Sequence, residues 1–515
     1  MTESTGEPGP ARARDRRRQG RGQRVPQRPW SVVDNPWAPL EPLREEELER
    51  IHDASLRLLE NIGMEFLHDE ALDLFASAGA RVDRATRRVR MDRDLVMAQI
   101  AKAPARFTLH ARNPAHDLPI GGRSMAFASV ASTPNAHDRA RGRRPGCLAD
   151  FLDFVRLGQS LNCVHAWGGY PVEPTDLPAE TRHLDCLAAF VTLSDKVFHA
   201  YALGRTRIQD ALEIVRIARG VGREQLEREP SLFTIVNSNS PLRLDGPMIE
   251  GLIEMARANQ PVVVTPFTLA GAMAPVTLAG ALVLQNAEAL AGITLVQLAR
   301  PGAPCIYGSF TSNVDMRSGA PAFGTPEYVR ATLASGQLAR RYGLPLRTSN
   351  ANAANTVDAQ AAYESMMSLW AATLAQTNLV MHAAGWLEGG LVASFEKMVL
   401  DAELLQMMAE TLRPIEVDED ALALSAIGEV GPGGHFFGSP HTLARYETAF
   451  YPPLVSDWRN AQQWEAAGSP TAYDRCEKLL REILSGFEPP PLPAEIHDEL
   501  QAFIAKRKER SRVSP

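Results

Sequence analysis

The sequence predicts an α/β chain folded as a (β/α)8 TIM barrel, with an N-terminal α/β cap and a C-terminal loop and helix extension over the barrel. Three observations point there. Short β-branched or apolar runs alternate eight times with longer helix-period segments between residues 120 and 412. That span is close to the ~250 residues usual for such a barrel. No candidate strand is followed by GxGxxG or a GxxxxGK(S/T) loop, the phosphate cradles of the open doubly wound sheets that share this alternation.

In chain order, residues 1–28 are a basic, low-complexity tail that reads as disordered. Residues 29–119 make the cap. Its first helix, 44–62, carries Leu48, Ile51, Leu56 and Leu59 along one side. Helices over 69–78 and 93–103 and a strand-like stretch over 81–91 complete it. The barrel, 120–412, has strand candidates at 125–130, 164–168, 197–203, 232–236, 262–266, 304–308, 344–348 and 379–383. Its helices are expected over 148–160, 178–193, 207–220, 246–259, 276–300, 326–342, 358–376 and 391–412. Thr325-Pro326 supplies a capping residue before a first-turn proline, with Glu327 behind it. Gly220 and Gly343 stand where C-terminal caps belong. Residues 413–515 form the extension, loop-rich over 431–453 and helical over 471–506 around the 489–493 proline break.

Charge and cysteine narrow the class. Eight Arg against Glu3, Glu7 and Asp15 give residues 1–28 a surplus of +5, so the rest of the chain carries −12 of the total −7. An acidic body argues against nucleic acid as a partner, and suggests an acidic mouth suited to a cationic substrate. The five cysteines include no CxxC pair, so neither a disulfide framework nor a Cys-rich zinc site is expected. The apolar run 261–299 is broken by Pro261, Pro266, Pro275, Gln285, Asn286 and Glu288, which fits a buried strand and helix better than a membrane span. No apolar stretch follows the arginines of the tail, so no secretory signal is read, and a cytoplasmic protein is expected.

In such barrels the site lies at the C-terminal ends of the strands. The residues there are aromatic and polar. The candidate substrate-binding set is Trp167, Tyr170, His199, Phe267, Tyr307, Phe310, Arg347, Asn350, Asn352, His382, Trp386 and Glu388. Each ring alone is more simply packing. Together, several rings with one carboxylate and little lysine compose a cage for a quaternary ammonium, bound by cation–π attraction. Other chemistries fit less well: there is no HExxH and no GxSxG elbow. Among the six lysines, Lys397 is mid-helix and Lys196 lies at the wrong end of strand three for a Schiff base. His435 and His441 are explained by a loop over the barrel, and no metal is expected.

Several stretches then fall in a familiar order. They are Asn239-Ser240-Pro241-Leu242, AGAMAPVTLAGALVLQNAEALAGITLVQLARPGAP, Asp315-Met316-Arg317-Ser318-Gly319, YGLPLRTSNANAANTVDAQAAYE, AGWLEGGLVASFEKMVLDAEL and EVGPGGHFFGSPHT. Over about residues 45–470 the chain resembles the trimethylamine methyltransferase family, in the branch lacking pyrrolysine. The resemblance implies a (β/α)8 barrel and methyl transfer from an amine to the Co(I) of a corrinoid (cobalamin) held by a separate partner protein, with no tightly bound cofactor of its own. In the trimethylamine-specific branch a pyrrolysine lies near what is here residues 347–355, where this chain has ordinary residues throughout. A quaternary amine such as glycine betaine is therefore the expected substrate, with Arg347 or the Asn350/Asn352 pair meeting its carboxylate. A homo-oligomer is expected. The rival readings are a tertiary-amine methyltransferase, a pterin-linked barrel methyltransferase recruiting Asn237, Asn239 and Asp315, and a catalytically silent betaine-binding module.

Overall fold

The computed structural model describes residues 25–513. Eight parallel strands close into a barrel. They are β1 (Ser124–Ser129), β2 (Ala166–Trp167), β3 (Val197–His199), β4 (Leu232–Val236), β5 (Val262–Val264), β6 (Cys305–Gly308), β7 (Leu346–Ser349) and β8 (Leu379–Ala384), and β8 pairs back onto β1. The helices between and after them are α1 (Leu148–Ser160), α2 (Arg182–Leu193), α3 (Arg205–Arg219), α4 (Gly246–Arg257), α5 (Leu278–Ala299), α6 (Pro326–Arg341), α7 (Ala359–Leu374) and α8 (Phe395–Thr411). All sixteen lie where the sequence places them. The end signals also work as read: Thr325 accepts from the Tyr328 amide, and Gly220 closes α3 in the left-handed region. One start moves. The helix expected from 391 begins at Phe395, because Val392–Ser394 is drawn into a small sheet beside Asn135–Asp138.

Inside the barrel, Ala126, Ala128, Ala166, Phe233, Val263, Ile306 and Met381 share one buried cluster. The antiparallel pair Phe107–Leu109 and Leu118–Ile120 adds Leu109, Leu118 and Ile120 to it, plugging the N-terminal end. The open end is therefore the C-terminal one, where the loops converge.

Helix α5 explains the apolar run. Sixteen of its 22 residues are buried, because it packs on β5 and β6 on one side and on the cap helices Glu45–Asn61, Asp69–Ser77 and Arg93–Ile100 on the other. A helix covered all round has no polar face to keep. Among the described residues it is the one helix long and apolar enough to cross a membrane.

Two boundaries differ from expectation. Residues 1–24 of the basic tail lie outside the described residues, but its last residues are seated on the barrel. Val25 is buried, Gln27 bonds the Ser160 carbonyl at 2.8 Å and the Asn162 amide at 2.9 Å, and Arg28 pairs with Glu410 at 3.3 Å. The extension, in turn, does not close over the barrel along its whole length. Residues 413–450 carry three short helices, Glu419–Leu422, Leu424–Val430 and Pro440–Leu443. Their hydrogen bonds stay within the segment or reach only Glu410. Pro432 and its neighbouring glycines cut any helix too short to present a packing face. The chain is recaptured where the buried Glu403 carboxylate accepts from the Tyr451 hydroxyl at 3.0 Å and the Leu454 and Val455 amides at 2.6 and 3.0 Å.

Candidate active site

Above the strand ends, two small sheets raise the barrel wall. Phe267–Ala270 runs parallel to Phe310–Val314 with Phe267 opposite Phe310, which sets their rings 5.0 Å apart. Trp386–Leu387 pairs with Val392–Ser394 on the far side. These additions to the eight-strand plan enclose a chamber of about 330 Å³. Its wall carries His199, Tyr201, Phe267, Phe310, Arg347, His382 and Trp386, and its rim includes Leu203, Gly389, Gly390 and Leu391.

The aromatic wall is fixed from behind. Trp386 donates its indole N–H to the Asn352 carbonyl at 3.0 Å. Its ring lies so close to Gly390 that a Cβ there would come within 2.6 Å. Behind it, α8 carries a wholly buried Lys397–Asp401 pair. Asp401 accepts from the Gly385 amide at 2.8 Å, while Lys397 donates to Ser365 Oγ at 2.8 Å, which in turn meets Asn352 Nδ2 at 3.3 Å. One ion pair therefore holds both loops that place Trp386.

His382 reaches the chamber through a kink. The β8–β1 register shifts between Val380 and Ala384, and His382 has φ +54°. A bulge of this kind re-aims a side chain, and left-handed backbone at a non-glycine residue is strain kept by its surroundings. The ring ends 4.3 Å from Trp386 and 6.0 Å from Phe310, with Nδ1 3.1 Å from Ser349 Oγ.

The electrostatics turn on Arg347. Its guanidinium is buried, donates to the Ser309 carbonyl at 3.2 Å and lies 5.3 Å over the Phe310 ring. Nε has no partner among the described residues, and no Asp or Glu lines the chamber. Burial lowers its pKa to about 10, so it remains charged at neutral pH. His199 accepts the Ile235 amide at Nε2, 3.1 Å, which leaves its proton on Nδ1, an atom with no partner among the described residues. Burial, reinforced by the Arg347 charge, pushes His199 down to about 3 and His382 well below its ordinary value. Both rings are neutral donors or acceptors at pH 7. The chamber's fixed charge is positive, so the acidic mouth expected from the −12 body is corrected: the body's carboxylates are paired or placed elsewhere.

Of the twelve candidate residues, His199, Phe267, Phe310, Arg347, His382 and Trp386 come together on the chamber. Trp167, Tyr170 and Tyr307 do not. Trp167 points outward between strand and helices, stacked on Phe190 at 5.2 Å with its N–H on Ser194 Oγ at 2.8 Å. Tyr307 is turned onto α5, where its hydroxyl donates to Asn286 at 3.0 Å. Tyr170 packs on Phe151 and Phe190 and lines a neighbouring cavity. Asn350 bonds the Ala383 carbonyl at 2.9 Å, and Asn352 braces Trp386 from behind. Glu388 is tied to Arg143 at 3.0 Å and is not part of the chamber wall. Tyr201, just past the end of β3 with its ring 4.6 Å from His199, belongs to the wall although it was left out of the candidate set. Phe323 stands 6.3 Å from Trp386, brought in by a loop that no strand register foretells. Asp315 sits on an exposed turn, its carboxylate held by Ser318. Among the described residues no three His, Cys, Asp or Glu stand together as a metal site, and His435 and His441 lie on the exposed segment.

Fold and chamber together define a (β/α)8 protein with a chamber at its strand ends. The chain belongs to the trimethylamine methyltransferase family, whose model matches residues 10–511. It is 40% identical over 466 residues to the glycine betaine methyltransferase of Desulfitobacterium hafniense (strain Y51), covering 90% of this chain and 96% of that one. It is 31% identical to a trimethylamine methyltransferase of D. hafniense (strain DSM 10664 / DCB-2), covering 91% and 94%. Among solved structures, the monomethylamine methyltransferase of Methanosarcina barkeri overlaps with a TM-score of 0.47 at 10% identity, covering 86% of this chain and 89% of that one.

Proposed function

We propose that this methyltransferase takes a methyl group from a zwitterionic quaternary amine, glycine betaine, and delivers it to the cobalt of a corrinoid carried by a partner protein. The observation that carries this reading is Arg347, a buried guanidinium beneath aromatic rings with no carboxylate facing it. A lone buried charge is costly unless something pairs with it. A substrate carboxylate would pair with Arg347, and the neutral His199 Nδ1–H adds a second donor. The trimethylammonio end would then rest among Trp386, Phe310 and Phe267, each good ring adding ~0.5–2 kcal/mol. A protonated tertiary amine such as trimethylamine meets the Arg347 charge with nothing to answer it. The name of the 40% identical relative supports the same substrate.

When docked, the Co(I) corrinoid of the partner would supply the nucleophile. The rim fits a planar apolar group: Gly389 and Gly390 present no side chain there, and Leu203 and Leu391 are exposed beside them. What this chain does is bind, orient and exclude water. Arg347 and His199 anchor one end of the substrate, so the rings set the direction of the other. When a C–N bond breaks, its electron pair stays on nitrogen and a neutral tertiary amine leaves, so no catalytic acid is required. The neutral His199 and His382 are consistent with that economy.

A substrate screen tests the proposal. With free cob(I)alamin, loss of the Co(I) absorbance is expected with glycine betaine and not with trimethylamine or tetramethylammonium. A response to trimethylamine and none to any betaine would overturn it.

A further inference from the structure

We infer that residues 413–450 form an arm that seats on the flank of a second copy of this chain. Ten large apolar side chains are exposed in these 38 residues, against eleven in all the other described residues. Ile415 is 89% and Phe437 86% exposed, with Leu424, Ile427, Tyr446 and Phe450 also open to solvent. The segment leaves the body at the end of α8, makes its hydrogen bonds to itself, and returns at Glu403. An arm built this way contributes no side chain to the buried apolar clusters of its own chain.

The chain also carries a surface for it. Tyr363 and Met367 on α7 and Met407 on α8 are exposed apolar residues on two helices that pack together. Trp37 extends that patch, stacked on Trp370 of α7 at 6.0 Å. Because α8 is both the root of the arm and part of the patch, a two-fold axis near its C-terminal end would lay each arm on the other copy's flank.

Two arguments favour a second copy over other occupants. Residues 1–24 hold only Met1, Ala11, Ala13 and two prolines as apolar side chains, too few to cover the arm. The area also suits a permanent contact. At roughly 100 Å² per exposed side chain, the arms of two copies would bury on the order of 2,000 Å², above the ~1,600 Å² of a standard interface and in the obligate range. Monomers rarely leave more than a few hundred Å² of contiguous apolar surface uncovered.

Light scattering on the purified full-length protein, with no partner present, tests this. The wild type is expected at twice 56.3 kDa or a larger multiple. The double variant Leu424→Glu/Phe437→Glu is expected to fall to 56.3 kDa with an unchanged circular dichroism spectrum, since both positions are solvent-facing in the single chain. Tyr363→Glu/Met367→Glu should do the same. An equal mixture of the two variants keeps one intact arm and one intact flank, and should regain a dimer. A monomeric wild type, or an assembly that survives the arm charges, would overturn the inference. Failure of the mixture to associate would overturn the seating of arm on flank.

Discussion

Two groups of aromatic residues stand at the strand ends, and they face opposite ways. Phe267, Phe310, His382 and Trp386 look into the chamber, where ring meets ring and one guanidinium. Trp167 and Tyr307 look outward, each with its polar atom spent on a helix-side partner, Ser194 or Asn286. The outward group is ordinary barrel packing: rings filling the strand–helix layer with every hydrogen bond made. The inward group stands beside donors that no described residue meets, on Arg347 and His199. An unmet buried donor is where a ligand is called for, and this distinction says more about function than aromatic content does.

The largest effect should come from Arg347→Met. Removing a charge-assisted anchor for a substrate carboxylate is expected to lower kcat/KM for glycine betaine about a thousandfold, the scale of a lost buried ionic contact. Stability should move the other way, rising by on the order of 1–4 kcal/mol, because a buried charge without a partner is gone. Urea denaturation and steady-state kinetics on the same sample check both signs. A variant that loses stability as well as activity would make Arg347 a structural residue.

The two tryptophans sharpen the contrast. Trp386→Ala should raise KM about tenfold or more by opening the cage. Trp167→Ala should cost about 3–5 kcal/mol of stability and leave KM unchanged. Equal KM effects would erase the inward and outward distinction.

A smaller effect tests the support behind Trp386. Lys397→Met alone leaves Asp401 buried and unpaired, at a cost of about 3–5 kcal/mol, whereas Lys397→Met with Asp401→Leu should recover most of it. In the double variant Trp386 loses its bracing, so KM should stay raised after stability returns. Recovery of both together would confine the pair to a stability role.

Much of this was legible in the sequence. The eight strands and eight helices were, because apolar period and cap residues are local signals, as at Thr325 and Gly220. His199, Arg347 and His382 were legible as strand-end residues. Which way Trp167 and Trp386 face was not, since one strand pairing away reverses a side chain and the deciding partners, Ser194 and Asn352, are remote in sequence. The sign of the chamber's charge was hidden too. Net charge counts Glu388 and Arg347 alike, but only burial and pairing show that Glu388 is spent on Arg143 while Arg347 is free to act.

The smallest expected effect is on acid stability. The folded chain holds His199 near 3, while the unfolded chain takes a proton near 6.5. The unfolded state therefore binds more protons as pH falls below 6.5, and stability declines from there towards 3. His199→Gln keeps an acceptor for the Ile235 amide and should shallow the fall in melting temperature between pH 7 and 5. An unchanged slope would mean that His199 is protonated in the folded chain.

The central claim is that the chamber reads a carboxylate with Arg347 and a methylated ammonium with its rings. Titration calorimetry of glycine betaine and of tetramethylammonium, on the wild type and on Arg347→Met, tests it most directly. The wild type should prefer glycine betaine by about a hundredfold or more, as expected for a charge-assisted bidentate contact, and Arg347→Met should lose that preference while still binding tetramethylammonium. Equal affinities in the wild type, or a preference that survives Arg347→Met, would contradict the account.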